Sequence, residues 1–225
     1  MRLNKYVATA TGKSRREADI LIESGRVMVD EKVATIGDQA PTDATIRLDH
    51  KKLSLPQQAT LIMLNKPVGY VSSRRAQASD ARTLYELLPP ELHTLKTVGR
   101  LDQKSCGLIL LTDDGDFAFR MTHPKFAKVK VYEVELDHAL EPLHQQMISD
   151  FGVTLEDGTS QLHLERRDDK RLAWQVTMSE GRNRQIRRTF RALGYTVIKL
   201  HRTNFGNFEL GELKSGQWKK LDNVI

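Results

Sequence analysis

Residues 99–115 read Gly99-Arg100-Leu101-Asp102-Gln103-Lys104-Ser105-Cys106-Gly107-Leu108-Ile109-Leu110-Leu111-Thr112-Asp113-Asp114-Gly115. Leu108 to Leu111 is an unbroken apolar run, the pattern of a short strand buried on both faces, and Gly107 and Gly115 punctuate its ends. Such a strand is rigid. The loop that feeds it carries Arg100, Asp102, Lys104 and Ser105, so polar side chains stand at the edge of a fixed frame, where positioning for chemistry costs least. An Asp in such a loop either bonds neighbouring backbone amides as a turn former or presents its carboxylate for chemistry, and spacing alone leaves both open.

Upstream, Leu61-Ile62-Met63-Leu64 is a second buried-strand run. It ends in Asn65-Lys66-Pro67-Val68-Gly69-Tyr70, where Pro and Gly fix a loop and Lys66 either turns inward or stays at the surface. Ser72 to Arg82 is polar, holds Arg74, Arg75 and Arg82 among small residues, and reads as an exposed loop before a helix over Thr83 to Leu88. Downstream, Phe117 to Met121 reads as helix, ended by His123-Pro124-Lys125. Lys130 to Leu136 alternates as a strand, which puts Lys130, Tyr132 and Val134 on one face. His123, His138, His144 and His163 match no metal-ligand spacing, and no metal is expected.

Ser179-Glu180-Gly181-Arg182-Asn183-Arg184-Gln185-Ile186-Arg187-Arg188 is the second informative stretch. Asn183 is placed to cap a helix running to Leu193, with Gly194 as its stop. At about 100° per residue, Ile186, Phe190 and Leu193 form an apolar arc, and Arg184, Arg187, Arg188 and Arg191 fill the next one. Arg187 lies nearest the apolar seam and is the arginine drawn inward, where an unpaired guanidinium is costly. It needs a carboxylate, and Asp102 is the expected partner, held ionised and oriented by the guanidinium. The other three face phosphate or water. Val197 to Leu200 is a final strand leading to His201-Arg202.

The 225 residues carry 35 Lys and Arg against 29 acids, a net charge of +6, which favours a polyanionic partner. A single cysteine, Cys106, excludes an internal disulfide framework and a multi-cysteine zinc site. No apolar stretch approaches membrane-spanning length, Met1 to Lys5 leads into an amphipathic segment, and a cytoplasmic location is expected. Residues 3–11 place Leu3, Tyr6, Val7 and Ala10 at helical spacing up to Gly12. Ser14 and Glu17 then form a capping box for a second helix buried through Ala18, Leu21 and Ile22. Arg15 and Arg16 in its first turn oppose the helix dipole, which points either to an anion outside the helix end or to solvated surface charge. Short strands follow near 27–29, 33–35 and 45–48. The expected organisation is α+β: a small unit at 1–50, a polar linker at 51–60, and a larger domain at 61–225 on a mixed, mostly antiparallel sheet with flanking helices.

Several of these stretches resemble one family. Leu-Asn-Lys-Pro-Val-Gly-Tyr-Val-Ser-Ser, Gly-Arg-Leu-Asp with Gly-Leu-Ile-Leu-Leu-Thr-Asp-Asp-Gly, Lys-x-Tyr at 130–132 and Gly-Arg-x-x-Gln-Ile-Arg at 181–187 are similar, in that order, to the motifs of the bacterial rRNA pseudouridine synthases of the small-subunit (16S) type. Ser105 stands where the family usually has Thr. The two short helices with Gly-Arg-Val-Met-Val-Asp resemble the alpha-L RNA-binding domain of a small-subunit ribosomal protein. The resemblance implies an isomerase that flips a uridine out of folded RNA, cleaves the base from the sugar and rejoins it through carbon, without metal or organic cofactor. Asp102 would be the catalytic residue, as nucleophile or as base. Arg187 would pair with it, and Tyr132 would pack on the base. Leu200 would help to wall the pocket, Lys66 would lie beside the site, and Arg100 would fill the space left by the flipped base. Lys130, Arg182, Arg184 and Gln185 complete the expected substrate contacts. Arg2, Lys5, Ser14, Arg15, Arg16, Arg26, Arg74, Arg75 and Arg188 are the expected RNA contacts. The partner would be rRNA or a pre-ribosomal particle, engaged by a monomer away from any membrane. The alternatives are a large-subunit (23S) synthase, a catalytically silent RNA-binding or ribosome-assembly factor, and an Asp-dependent glycosidic hydrolase, which normally uses two carboxylates where one is visible here.

Overall fold

The alternation of polar and apolar residues near the start of the chain builds a first small core. In the computed structural model, which describes residues 1–56, 58–74 and 82–221, helix α1 (Leu3–Thr11) buries Leu3 and Val7 and stops at Gly12 in the left-handed conformation, φ 71°. Helix α2 (Arg15–Glu23) begins at the expected capping box: Ser14 Oγ accepts the Glu17 amide at 3.2 Å and Glu17 Oε2 accepts the Ser14 amide at 2.7 Å. Both helices cover a sheet of β1 (Val27–Val29), β2 (Lys32–Val33), β3 (Ile46–Leu48) and β4 (Lys51–Lys52), ordered β2-β1-β3-β4. Lys51 and Lys52, expected in the linker, therefore belong to this sheet, because their backbone completes a hairpin against Arg47 and Leu48. Leu3, Val7, Ala18, Leu21, Ile22, Val27 and Ile46 form its core.

The larger domain contributes β5 (Leu61–Lys66), β6 (Tyr70–Val71), β7 (Arg82–Thr83), β8 (Lys96–Val98), β9 (Cys106–Thr112), α3 (Gly115–Thr122), β10 (Lys130–Leu136), α4 (Pro142–Gln146), β11 (Val153–Leu155), β12 (Gly158–Ser160), β13 (His163–Arg166), β14 (Ala173–Met178), α5 (Gln185–Ala192), β15 (Val197–Phe205), β16 (Phe208–Glu209) and β17 (Trp218–Lys220). Among the described residues its main sheet has nine strands, running β13-β14-β10-β15-β9-β5-β17 with β16 beside β15 and β8 beside β9. Every pairing in it is antiparallel except β15 with β9, which run parallel.

The unbroken apolar runs have a direct cause. Ile62, Leu64, Ile109 and Leu111 point into a core shared with Ile186 and Phe190 of α5, while Leu61, Met63, Leu108 and Leu110 point into a second core shared with Phe117 and Met121 of α3. A strand covered on both faces has no polar side to display. The expected helix over Thr83 to Leu88 is a single 3-10 turn, Leu84–Leu87, because Thr83 and Glu86 cap it and Leu88 returns to extended backbone. The two domains touch: Lys5 forms an ion pair with Asp116 of α3, and Lys96 Nζ donates to the Lys13 carbonyl at 3.0 Å. No helix among the described residues is long and apolar enough to cross a membrane.

Candidate active site

The loop from Gly99 to Ser105 enters β9 at the parallel seam of the sheet, and its path is fixed from several sides. Ser72 Oγ donates to the Leu101 carbonyl at 2.9 Å and accepts the Leu101 amide at 3.1 Å, so one buried hydroxyl holds both polar groups of the residue before Asp102. The Gly69 amide donates to the Gln103 carbonyl at 2.8 Å, and the Ser105 amide closes a turn on the Asp102 carbonyl at 3.0 Å. With the backbone so occupied, the Asp102 side chain is left half-exposed on a cleft of about 440 Å³, a volume suited to a small ligand or a single nucleotide. Arg100, Lys130, Tyr132, Leu200 and Arg202 also line it. Ser72 was expected in an exposed loop; it is buried because its hydroxyl is spent on Leu101.

The expected pairing of Asp102 with Arg187 is not formed. Arg187 is drawn inward as its position on α5 demands, but its guanidinium donates to the Val197 carbonyl at 2.6 Å and to the Lys104 carbonyl at 2.8 Å, with Ser105 Oγ at 3.4 Å. Backbone carbonyls behind the loop take both terminal nitrogens and leave the buried Nε without a partner, so it braces the loop and senses the Asp102 carboxylate at longer range. Burial, and then the neighbouring Arg184, push its pKa below the usual arginine value. Arg184 makes the direct contact instead, Nη1 to Asp102 Oδ2 at 3.5 Å. It can do so because Arg184 sits in the left-handed conformation, φ 47°, just before α5, and no side chain caps that helix, Asn183 included. A non-glycine residue held there carries strain of roughly 1–3 kcal/mol that its surroundings must hold in place.

Those surroundings are the residues expected to touch substrate and RNA. Arg182 donates to the carbonyls of Gly158 at 3.0 Å and Thr159 at 2.8 Å and pairs with Asp157. Arg188 pairs with the same Asp157 at 2.6 Å and donates to the Asn183 carbonyl. Gln185, 2% exposed, bonds Ser160 Oγ and the Glu180 carboxylate and accepts the Arg182 amide at 3.1 Å. Together they clamp the 179–185 segment to the β11–β12 hairpin. Lys130 likewise turns its ammonium to the carbonyls of Lys128, Ser179 and Glu180. Burial, helped by the cation of Arg202, lowers its pKa to about 8.

Lys66 ends β5, fully buried, with Nζ on the carbonyls of Pro67 at 2.9 Å and Tyr70 at 2.7 Å. It supports the loop that meets Gln103 and does not line the cleft. Burial lowers its pKa from 10.5 to about 8, the nearby Asp102 charge opposing the fall. Between those two values the unfolded chain holds more protons than the folded one, so stability rises with pH there. The difference in urea midpoint between the parental chain and Lys66→Met is therefore expected to climb from pH 8 to pH 10 and to stay level from pH 6 to pH 7. A difference that falls across the upper range would show that the folded chain holds the ammonium proton more tightly than the unfolded chain, the opposite of a pKa lowered by burial.

Of the expected RNA contacts, Arg2, Arg15 and Arg16 are exposed, Arg15 donating to Asn4 Oδ1 at 3.1 Å. Lys5 is taken by Asp116, Ser14 by its helix cap, and Arg26 by both carboxylate oxygens of Asp49. Arg74 donates to the Thr94 carbonyl at 2.7 Å and lies over the Tyr85 ring. Arg75 lies outside the described residues. Among the described residues no group of three or more His, Cys, Asp or Glu side chains is placed to hold a metal ion.

Residues 60–192 match the RNA pseudouridylate synthase family, and residues 1–44 match the S4 domain. The chain belongs to the RNA pseudouridine synthase family. It is an isomerase with an N-terminal S4 domain. It is 36% identical over 228 residues to a ribosomal small subunit pseudouridine synthase A of Pasteurella multocida, covering 98% of this chain and 96% of that one. It is 34% identical over 233 residues to a ribosomal large subunit pseudouridine synthase B of Salmonella typhi, covering 98% and 79%. A crystal structure of a pseudouridylate synthase superposes with a TM-score of 0.69 at 32% identity, over 98% of this chain and 96% of that one. In this synthase the cleft beside Asp102 has about the volume of a single nucleotide. The sequence missed Ser72, Arg202 and the Asp157 clamp. Arg202 was signalled, since it stands two residues after Leu200 on a strand and shares its face.

Proposed function

We propose that this chain isomerises one uridine of ribosomal RNA, in the small subunit, to pseudouridine. Asp102 attacks or deprotonates at the sugar and Tyr132 packs against the flipped base. The observation that carries this is the Asp102 carboxylate on a cleft it shares with Tyr132 and Leu200, its carbonyl engaged by the Ser105 amide and its side chain left to the cleft. Arg187 acts as a positioning residue through the Lys104 carbonyl, and Arg184 neutralises the acid from the open side. Arg2, Arg15 and Arg16 of the S4 domain are the contacts for RNA phosphates, and Arg100 is the residue that takes the place of the extruded base. The site of action is the cytoplasm, where the rRNA or pre-ribosomal particle is found.

The preference for the small subunit rests on the motif resemblance, and a small-subunit relative is 36% identical against 34% for a large-subunit one. Near-equal identity to both supports a large-subunit target as the second reading. Carbodiimide mapping of both rRNAs from cells with and without the protein separates them. One site absent from small-subunit rRNA, and restored by re-expression, is the expected result. A site lost only from the large subunit moves the substrate, and no lost site in either removes the activity on rRNA.

A further inference from the structure

Arg202 is a buried guanidinium without a carboxylate. It is 2% exposed, its Nε donates to the Leu108 carbonyl at 2.8 Å, and its guanidinium carbon lies 4.8 Å from the centre of the Phe205 ring. Its Nη2, also buried, has no hydrogen-bond partner among the described residues. Leaving such a group unpaired costs several times what an exposed one would. The side chain nevertheless lines the cleft.

Its placement there follows from strand alternation, Leu200 standing opposite Val134 and Arg202 opposite Tyr132, with a register shift just beyond it. Val131 pairs with Asn204 on the neighbouring strand, but Tyr132 pairs with Arg202, so Thr203 is an extra residue in β15. The bulge changes the register of the residues that follow, Asn204 and Phe205, and leaves Arg202 on the face of Leu200. Arg202 thus stands directly across the ladder from Tyr132, the ring expected to receive the base. On its other side it is wired to β9, the strand that carries Asp102 at its entrance.

We infer that Arg202 reads the target base, its free Nη2 donating to an exocyclic carbonyl oxygen of the extruded uracil; this rests on the activity proposed above. Uracil offers two carbonyls and cytosine one, with an amino group at the other place, so a fixed donor set against O4 rejects cytosine by facing donor with donor. The same contact strengthens during the reaction. When the bond from C1′ to N1 breaks, its electron pair stays on the base, which becomes an anion with charge spread over N1, O2 and O4. The base turns, C5 bonds to C1′, and the proton lost from C5 is balanced by one gained at N1. A donor already in place, in a site that excludes water, stabilises that anion without reorganising. Lys130, whose donors are spent on backbone carbonyls, adds positive charge nearby.

The test uses synthetic RNA spanning the nucleotide found by mapping, carrying uridine, 2-thiouridine or 4-thiouridine at that position, with single-turnover product followed by nucleoside chromatography. Sulfur is a poorer acceptor than oxygen. The parental chain is expected to lose about tenfold on one of the two thio RNAs, and Arg202→Met to lose about 100-fold on uridine with RNA affinity within about threefold. In Arg202→Met the thio penalty should shrink to within about twofold. Arg202→Lys, which keeps the buried charge should the Met variant fail to fold, is read the same way, since a single ammonium on the Leu108 carbonyl has no fork left for the base. Thio penalties that survive unchanged in the variant overturn the role of Arg202 alone. A parental chain that makes no pseudouridine in the uridine RNA removes the proposed activity and this role with it.

Discussion

Asp102→Asn is expected to lower pseudouridine formation by about 10⁴-fold or more while the RNA dissociation constant and the melting temperature stay close to those of the parental chain. Asn has the same shape, so the loop should not move: its backbone is held by Ser72, Gly69 and the turn onto Ser105, none of which uses the Asp102 side chain. The side chain's own ion pair, to Arg184 at 3.5 Å, lies on the open side of the cleft. Solvent and salt screen such a pair, and its loss should cost less than about 1 kcal/mol of stability. Nucleophilic attack and proton abstraction both need the carboxylate, so either route fails with the amide. The experiment compares single-turnover formation and filter binding on the same RNA. A catalytically silent RNA-binding factor would show no difference between the two chains in cells, with the Asn form restoring every phenotype. Activity within tenfold of parental would dislodge Asp102 from its role.

What could be read beforehand depended on how local the determinant was. The capping box at Ser14 and Glu17 is settled within four residues, and it formed as expected. The run from Leu108 to Leu111 announced a strand covered on both faces, and both covers exist in α3 and α5. Arginine partners are another matter. A guanidinium on a long flexible stem selects among acceptors that distant strands bring near, and the sequence gives no separation in space. Arg187 was correctly expected to turn inward, but carbonyls of Val197 and Lys104 were already there, and those are invisible in a pattern of side chains. Arg182 was expected on the substrate and Arg188 on RNA, and both instead meet Asp157, an acid 25 and 31 residues away with nothing local to mark it. Exposed charge therefore overstates the RNA-facing surface. The bulge at Thr203 was equally hidden, since it lies in how two strands pair and not in either strand alone.

The largest loss of stability should come from Gly107→Ala. Gly107 has φ +103°, a conformation side chains rarely adopt, and a Cβ built there would lie 2.3 Å from the Arg202 carbonyl oxygen and 2.6 Å from its amide nitrogen. Backbone on the far side cannot step aside as a side-chain tip would. Strain in φ contributes roughly 1–3 kcal/mol and the overpacking a similar amount, so a destabilisation of about 3 kcal/mol or more is expected from urea melts. The position makes the effect more than structural. Gly107 and Arg202 pair across the parallel seam between β9 and β15, where the half of the sheet entered through Asp102 meets the half that carries Tyr132, Leu200 and Arg202. A missing side chain is what lets the two halves approach, so the active cleft is closed by an absence of atoms. If the strands separate to admit a methyl group, the acid and the base-holding wall separate with them. In the fraction that stays folded, activity should fall by more than RNA affinity, because the phosphate contacts proposed for the S4 domain do not cross this seam. An alanine variant as stable as the parental chain would mean that the strands do not pack this closely, and one that is destabilised yet fully active per folded molecule would uncouple the seam from the chemistry.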